Sequence, residues 1–272
     1  MYSKSNINIT LHKKKRANFI KKIQVYFIFI IFLILLLICV LNIKKIQIKE
    51  IKVSGNFSVP TEDIIRLANT EINKKYFFII LVNNIFLLRR QEIEKQILEN
   101  IKEINKIKIL IRGIDKIEII VQEREVKNLW CKGIPINIGP KDCYFMDLNG
   151  FIFEKAPQFS KDIFFEYFGL IKEKNPIGQF YLKEDFKNIS NLFNILKKMS
   201  FEIKSFYAVD ENEYEIYILG GGKIIMNNKR SFESQLINLQ ALISNEYIKT
   251  DIESLKKIKY IDLRFGNKVN FI

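Results

Sequence analysis

IKILIRGIDKIEIIVQ, residues 107–122, decides the fold of the region around it. Ile107, Ile109 and Ile111 alternate with Lys108, Leu110 and Arg112. After Gly113-Ile114-Asp115, Ile117, Ile119 and Val121 alternate with Glu118, Ile120 and Gln122. A two-residue period places one set on one face of a strand, so the stretch predicts a hairpin. Residues 46–53, IQIKEIKV, carry the same period and predict another strand. Between these strands Gly55-Asn56 marks a turn, and Pro60-Thr61-Glu62-Asp63 opens a helix with acids in its first turn. Ile64, Ile65 and Leu67 supply its packed face. The apolar run 76–82 is too short to span a bilayer. A second helix is expected from near Leu88, with Ile93, Ile97 and Ile101 on one side. Strand, helix, helix, strand, strand predicts two helices on one face of a three-stranded sheet, an α+β unit.

Upstream lies IQVYFIFIIFLILLLICVLNI, residues 23–43, without a charged residue. As a helix it is roughly 31 Å long, close to the thickness of bilayer hydrocarbon. A core helix of a soluble protein would show a polar face within that length, and this one has none. A cleaved secretory signal would have a shorter apolar region and a small-residue cleavage site. The exit here is Cys39-Val40-Leu41-Asn42-Ile43, so an uncleaved transmembrane helix is expected. Residues 1–22 form a basic tail with Lys4, Lys13, Lys14, Lys15, Arg16, Lys21 and Lys22 and no acid. That tail favours a cytoplasmic N-terminus and an extracytoplasmic C-terminal part, an asymmetry that Lys44, Lys45 and Lys49 blunt.

The net charge is +14, of which the tail carries half. Beyond the span, 37 basic residues face 30 acidic ones without a concentrated stripe, so nucleic acid is not an expected partner. Cys39 falls within the span. Cys131 and Cys143 lie beyond it, where either a disulfide or two free thiols is open.

After Glu123-Arg124-Glu125 the texture changes. Residues 128–136, 142–146 and 151–154 read as short strands, with Asn149-Gly150 as a hairpin turn. Phe186, Ile189, Phe193 and Leu196 make a helical stripe. Strands are expected over 203–209, 214–219 and 223–226, then a helix capped by Ser231 with Phe232, Leu236, Leu239 and Ile243 inward. A last strand is expected over 258–265, before Gly266-Asn267 and the short apolar end 269–272. The expectation is a second domain over 125–272, a mixed β-sheet with helices, following a first over 46–124.

No role-bearing constellation for catalysis emerges. His12, the only histidine, falls in the tail, so neither a triad nor a histidine metal site is available beyond the span. Asp147-Leu148-Asn149-Gly150 lacks the later ligands of a calcium loop and reads as a turn. Gly220-Gly221-Gly222 lacks the lysine of a phosphate loop and reads as a bend. The expectation is no enzyme, no cofactor, no metal and no small-molecule substrate. What the chain offers instead is backbone: a terminal strand is commonly a sheet edge able to receive a partner's strand.

Several residues, in order, carry a family likeness. They are Val53-Ser54-Gly55-Asn56, Thr61-Glu62-Asp63-Ile64, Val121-Gln122-Glu123-Arg124, Leu129-Trp130, Asp147-Leu148-Asn149-Gly150 and Tyr260-Ile261-Asp262-Leu263-Arg264-Phe265. Together with the basic tail and single span, they resemble the bacterial cell-division family FtsQ, called DivIB in Gram-positive bacteria. The resemblance implies a POTRA domain beside the membrane, a β domain beyond it, and a non-catalytic scaffold of the divisome at the septum. It further implies FtsB-like and FtsL-like partners, bound partly by strand addition at the last edge. The matching positions are Tyr260, Asp262, Arg264, Phe265 and Asn267. Departures are Phe265 where Tyr is common, Val126 in place of a Pro, and Gly113-Ile114-Asp115 in place of a Pro-containing turn.

Overall fold

The computed structural model describes residues 4–41, 43, 46–76, 80–81, 83–136, 141–158, 163–266 and 269–272. The chain forms two compact units, residues 1–123 and 124–272.

The first unit begins with helix α1 (Lys4–Leu41). It starts within the basic tail, since Lys and Arg are good helix formers. Within it, residues Phe19–Val40 make a stretch long and apolar enough to cross a membrane. Phe27, Leu33 and Leu35 stand exposed on it, and a helix apolar all round requires either a core or hydrocarbon to cover it.

Then follow β1 (Glu50–Ser54), α2 (Thr61–Ile72), β2 (Lys75–Tyr76), β3 (Ile80–Leu81), α3 (Arg90–Asn100), β4 (Ile104–Ile111) and β5 (Lys116–Glu123). The three-stranded sheet has the order β1-β5-β4, with β1 parallel and β4 antiparallel to β5. Ile64, Leu67, Ile93, Ile97, Ile109, Ile117, Ile119 and Val121 make the core between sheet and helices. Strand β1 starts later than the alternation over 46–53 predicts. Residues 46–48 are bonded elsewhere: Ile48 N–H donates to Asn83 O at 2.7 Å, and Ile85 N–H donates to Ile46 O at 3.0 Å. Gly55 closes β1 with φ +87, and a Cβ there would meet Val121 O at 2.1 Å. Only glycine allows both the left-handed turn and that approach. Glu123 then fastens the turn by accepting the N–H groups of Phe57, Ser58 and Val59 and the Ser58 hydroxyl. Burial raises the Glu123 carboxyl, but these donors outweigh it and hold it below the ordinary carboxylate value.

The second unit contains β6 (Asn128–Cys131), β7 (Cys143–Met146), β8 (Ile152–Lys155), β9 (Phe165–Gly169), α4 (Phe186–Lys198), β10 (Ile203–Ala208), β11 (Glu213–Ile218), β12 (Lys223–Asn227), α5 (Phe232–Ser244), α6 (Ile252–Leu255), β13 (Tyr260–Asp262) and β14 (Asn270–Phe271). One nine-stranded mixed sheet runs β14-β13-β12-β11-β10-β9-β6-β7-β8. The main core gathers Tyr167, Tyr181, Phe206 and Tyr214 from the sheet side with Ile189, Leu192, Leu196 and Leu239 from α4 and α5. Ser231 caps α5, accepting the Ser234 N–H at 3.2 Å.

Strand β9 was not foreseen. It lies parallel to both β6 and β10 at the centre of the sheet, and its adjacent residues Tyr167 and Phe168 are both buried. Tyr167 faces the main core, and Phe168 faces a smaller cluster with Leu129, Cys131 and Cys143. A strand covered on both faces has no alternation to read. Gly169 ends it at φ +87, its carbonyl taking the Trp130 indole N–H at 2.9 Å. The strand expected over 128–136 stops at Cys131. The Asp147 to Gly150 segment is the predicted turn: Asp147 Oδ1 accepts the N–H groups of Asn149 and Phe151, and Oδ2 pairs with Arg124 at 2.5 Å.

Candidate partner-binding edge

The strand expected over 258–265 is much shorter, and it is not the edge. Strand β13 pairs in parallel with β12 on one side and antiparallel with β14 on the other. Leu263 N–H still donates to Ile225 O at 2.9 Å, after which the chain turns away from the sheet. The edge is β14, where Asn270 lies opposite Asp262 and Phe271 opposite Ile261. Ile272 N–H donates to Tyr260 O at 3.3 Å, and Lys259 N–H donates to Ile272 O. Antiparallel pairing alternates inward and outward backbone groups, so the N–H and C=O of Phe271 face away from β13. Asn270, Phe271 and Ile272 are exposed. At the opposite end of the sheet the first residue of β8 is bonded on its outer side: Ile152 N–H donates to Gln179 O, and Gly178 N–H donates to Ile152 O.

Beneath this edge the sequence-predicted residues fall into distinct roles. Tyr260 is half-buried and Asp262 buried. Arg264 donates Nε to Asp262 Oδ1 at 3.0 Å and Nη2 to Oδ2 at 2.7 Å. Its Nη1 reaches both oxygens of Glu213, at 2.8 and 2.9 Å. These bonds, Asp262 first, hold the guanidinium still more firmly in its charged form. Arg264 is thus engaged within the domain, bracing the exit of β13 against the start of β11. Phe265 is half exposed, its ring 5.4 Å from the Arg264 guanidinium carbon. Gly266 O accepts from Asn238 at 2.6 Å and Arg230 at 3.3 Å, tying the loop to α5. Asn267 lies outside the described residues. Glu213, Asn270 and Phe271 were missed as members of the region. The turn signal Gly266-Asn267 before an apolar end could have announced the final hairpin.

Cys131 and Cys143 are joined, lying opposite each other on β6 and β7 with Cα atoms 4.0 Å apart. Glu166 comes near the same sulfurs, but its carboxylate pairs with Lys141.

A helix long and apolar enough to span a bilayer, followed by a three-stranded sheet carrying two helices, fits a single-pass membrane protein with an α+β domain after the span. Residues 46–124 match the family model of the POTRA domain, FtsQ-type. The match supports the resemblance of the chain to the FtsQ/DivIB family. A comparison with curated proteins found no match.

Proposed function

We propose that the chain is a bitopic scaffold of the bacterial divisome, with its N-terminus cytoplasmic and both folded domains outside the cytoplasmic membrane. Its work is binding without turnover: it holds FtsB-like and FtsL-like division proteins at the septum. The observation that carries this reading is the FtsQ-type POTRA match over residues 46–124 directly after the span. The open edge β14 supports a strand-addition mode, because main-chain groups supply affinity and flanking side chains supply choice. Phe271 and Ile272 offer the apolar contacts on that edge, with Phe265 on the preceding loop.

Depletion with imaging tests the proposal. Filaments with unfinished septa, and a fluorescent fusion gathered at midcell, are the expected result. Normal division with label around the whole envelope would overturn it and favour the rival use of an anchored POTRA domain, envelope assembly or secretion.

A further inference from the structure

The end of the first sheet nearest the anchor exposes two large apolar side chains. Phe86 is 76% and Ile114 60% exposed, although the POTRA domain has a well-filled core around Ile64, Ile97 and Ile119. Both are presented by fixed turns. Asn84 is buried, and its Oδ1 accepts the Phe86 N–H at 2.9 Å while Leu87 N–H donates to Asn84 O. Ile114 sits in the β4–β5 turn, which Arg112 N–H closes by donating to Lys116 O at 2.9 Å.

The two turns share one support. Residues 46–48 hydrogen-bond to Asn83 and Ile85, and the next residue, Lys49, donates its N–H to Asp115 O at 2.8 Å. That support is the linker from the span. Eight residues lie between Val40 and Lys49, and the nine steps from one to the other cannot reach further than about 32 Å even when fully extended. Hydrogen bonds from Ile43 N–H to Val40 O and from Ile46 N–H to Ile43 O shorten it well below that limit. Covalent connection alone therefore keeps both turns close to the bilayer surface, whatever angle the span adopts. Exposed basic residues flank them: Lys49, Arg89, Arg90, Arg112 and Lys116. Several of these are paired, as in Lys49–Asp115, Lys116–Glu50 and Arg112–Glu118, so apolar burial is the main attraction and charge the lesser one.

We infer that Phe86 and Ile114 form a two-point foot by which the POTRA domain rests on the membrane that its own helix spans. Apolar side chains beside basic ones suit the headgroup and upper acyl region, where interfacial segments bury apolar groups. The foot limits the tilt of the POTRA domain relative to the membrane. The inference rests on α1 being a span, but not on which side of the membrane the domain lies.

Full-length protein in nanodiscs tests it, with Phe86→Trp, Ile114→Trp and Phe57→Trp made singly and brominated lipid as quencher. Phe57 is 93% exposed beyond the other end of β1, and the unaltered chain gives the signal of its one tryptophan, Trp130, as baseline. Trp at 86 and at 114 is expected to lose about half its emission, since interfacial burial of ~5–10 Å reaches the upper acyl chains. Trp at 57 is expected to lose none. Quenching at neither foot position, at only one of them, or equally at all three overturns the foot. Alkaline carbonate extraction separates the two levels: release of the chain would overturn the span itself.

Discussion

Arg264 grips Glu213 across 51 positions of sequence, its Nη1 lying 2.8 and 2.9 Å from the two carboxylate oxygens. The same guanidinium holds Asp262, whose side chain is only 7% exposed. One arginine thus joins β11 to the end of β13 while neutralising a buried acid. Replacing Arg264 with Ala leaves Asp262 buried without its cation and is expected to cost about 1–3 kcal/mol. Arg264→Lys is expected to lose much of the same stability, because a point charge cannot reproduce the fork. Urea midpoints check both. Unchanged midpoints with lost partner binding would show that Arg264 serves the partner instead.

Proline at the final edge separates a partner's strand from the protein's own. Phe271→Pro removes an outward N–H and leaves the inward bonds of β14 in place, so stability is expected to hold while co-purification of the FtsB-like partner falls strongly. Phe265 lies outside the ladders, and Phe265→Pro tests only its side chain and loop. Undiminished capture by Phe271→Pro would show that the partner does not add a strand there.

Glu123 links the end of β5 to the turn after Gly55 through three N–H groups and a hydroxyl. Its carboxyl titrates below the ordinary value when folded, so its contribution is complete above about pH 4.3, the unfolded Glu value. That contribution is lost as pH falls through the depressed folded value. Glu123→Gln is expected to cost roughly 1–2 kcal/mol near neutrality and to flatten the acid limb of a stability-against-pH curve. Identical acid limbs in both proteins would refute this linkage.

The Cys131–Cys143 bond closes a short loop between β6 and β7. On the loop-entropy estimate its removal by a Cys131→Ser, Cys143→Ser double substitution costs about 3 kcal/mol. Peptide mapping without reductant is expected to recover the two cysteines in one linked species. Alkylation of both in the untreated chain would show free thiols.

Much of this protein was legible in the chain itself. The long apolar helix follows from unbroken apolar length, a local property of the stretch itself. Strands β4 and β5 and helices α2 and α3 follow from periods of two and of roughly four residues, since each element has one buried and one wet face. Gly55 and the turn at Asp147 to Gly150 follow from backbone chemistry confined to a few neighbours.

Tertiary structure alone decided the rest. Strand β9 carries no period because Tyr167 and Phe168 are buried on opposite faces, one in the main core and the other in the smaller cluster with Leu129, Cys131 and Cys143. The alternation over 46–53 is real, yet Asn83 and Ile85 take the backbone of its first residues before β1 can. Arg264 looks like a surface ligand until Glu213 is brought to it, and Tyr260 to Asp262 looks like an edge until residues 270–272 return. Sequence determines what each segment is able to bury, whereas the fold determines which distant segment satisfies its backbone and its charge.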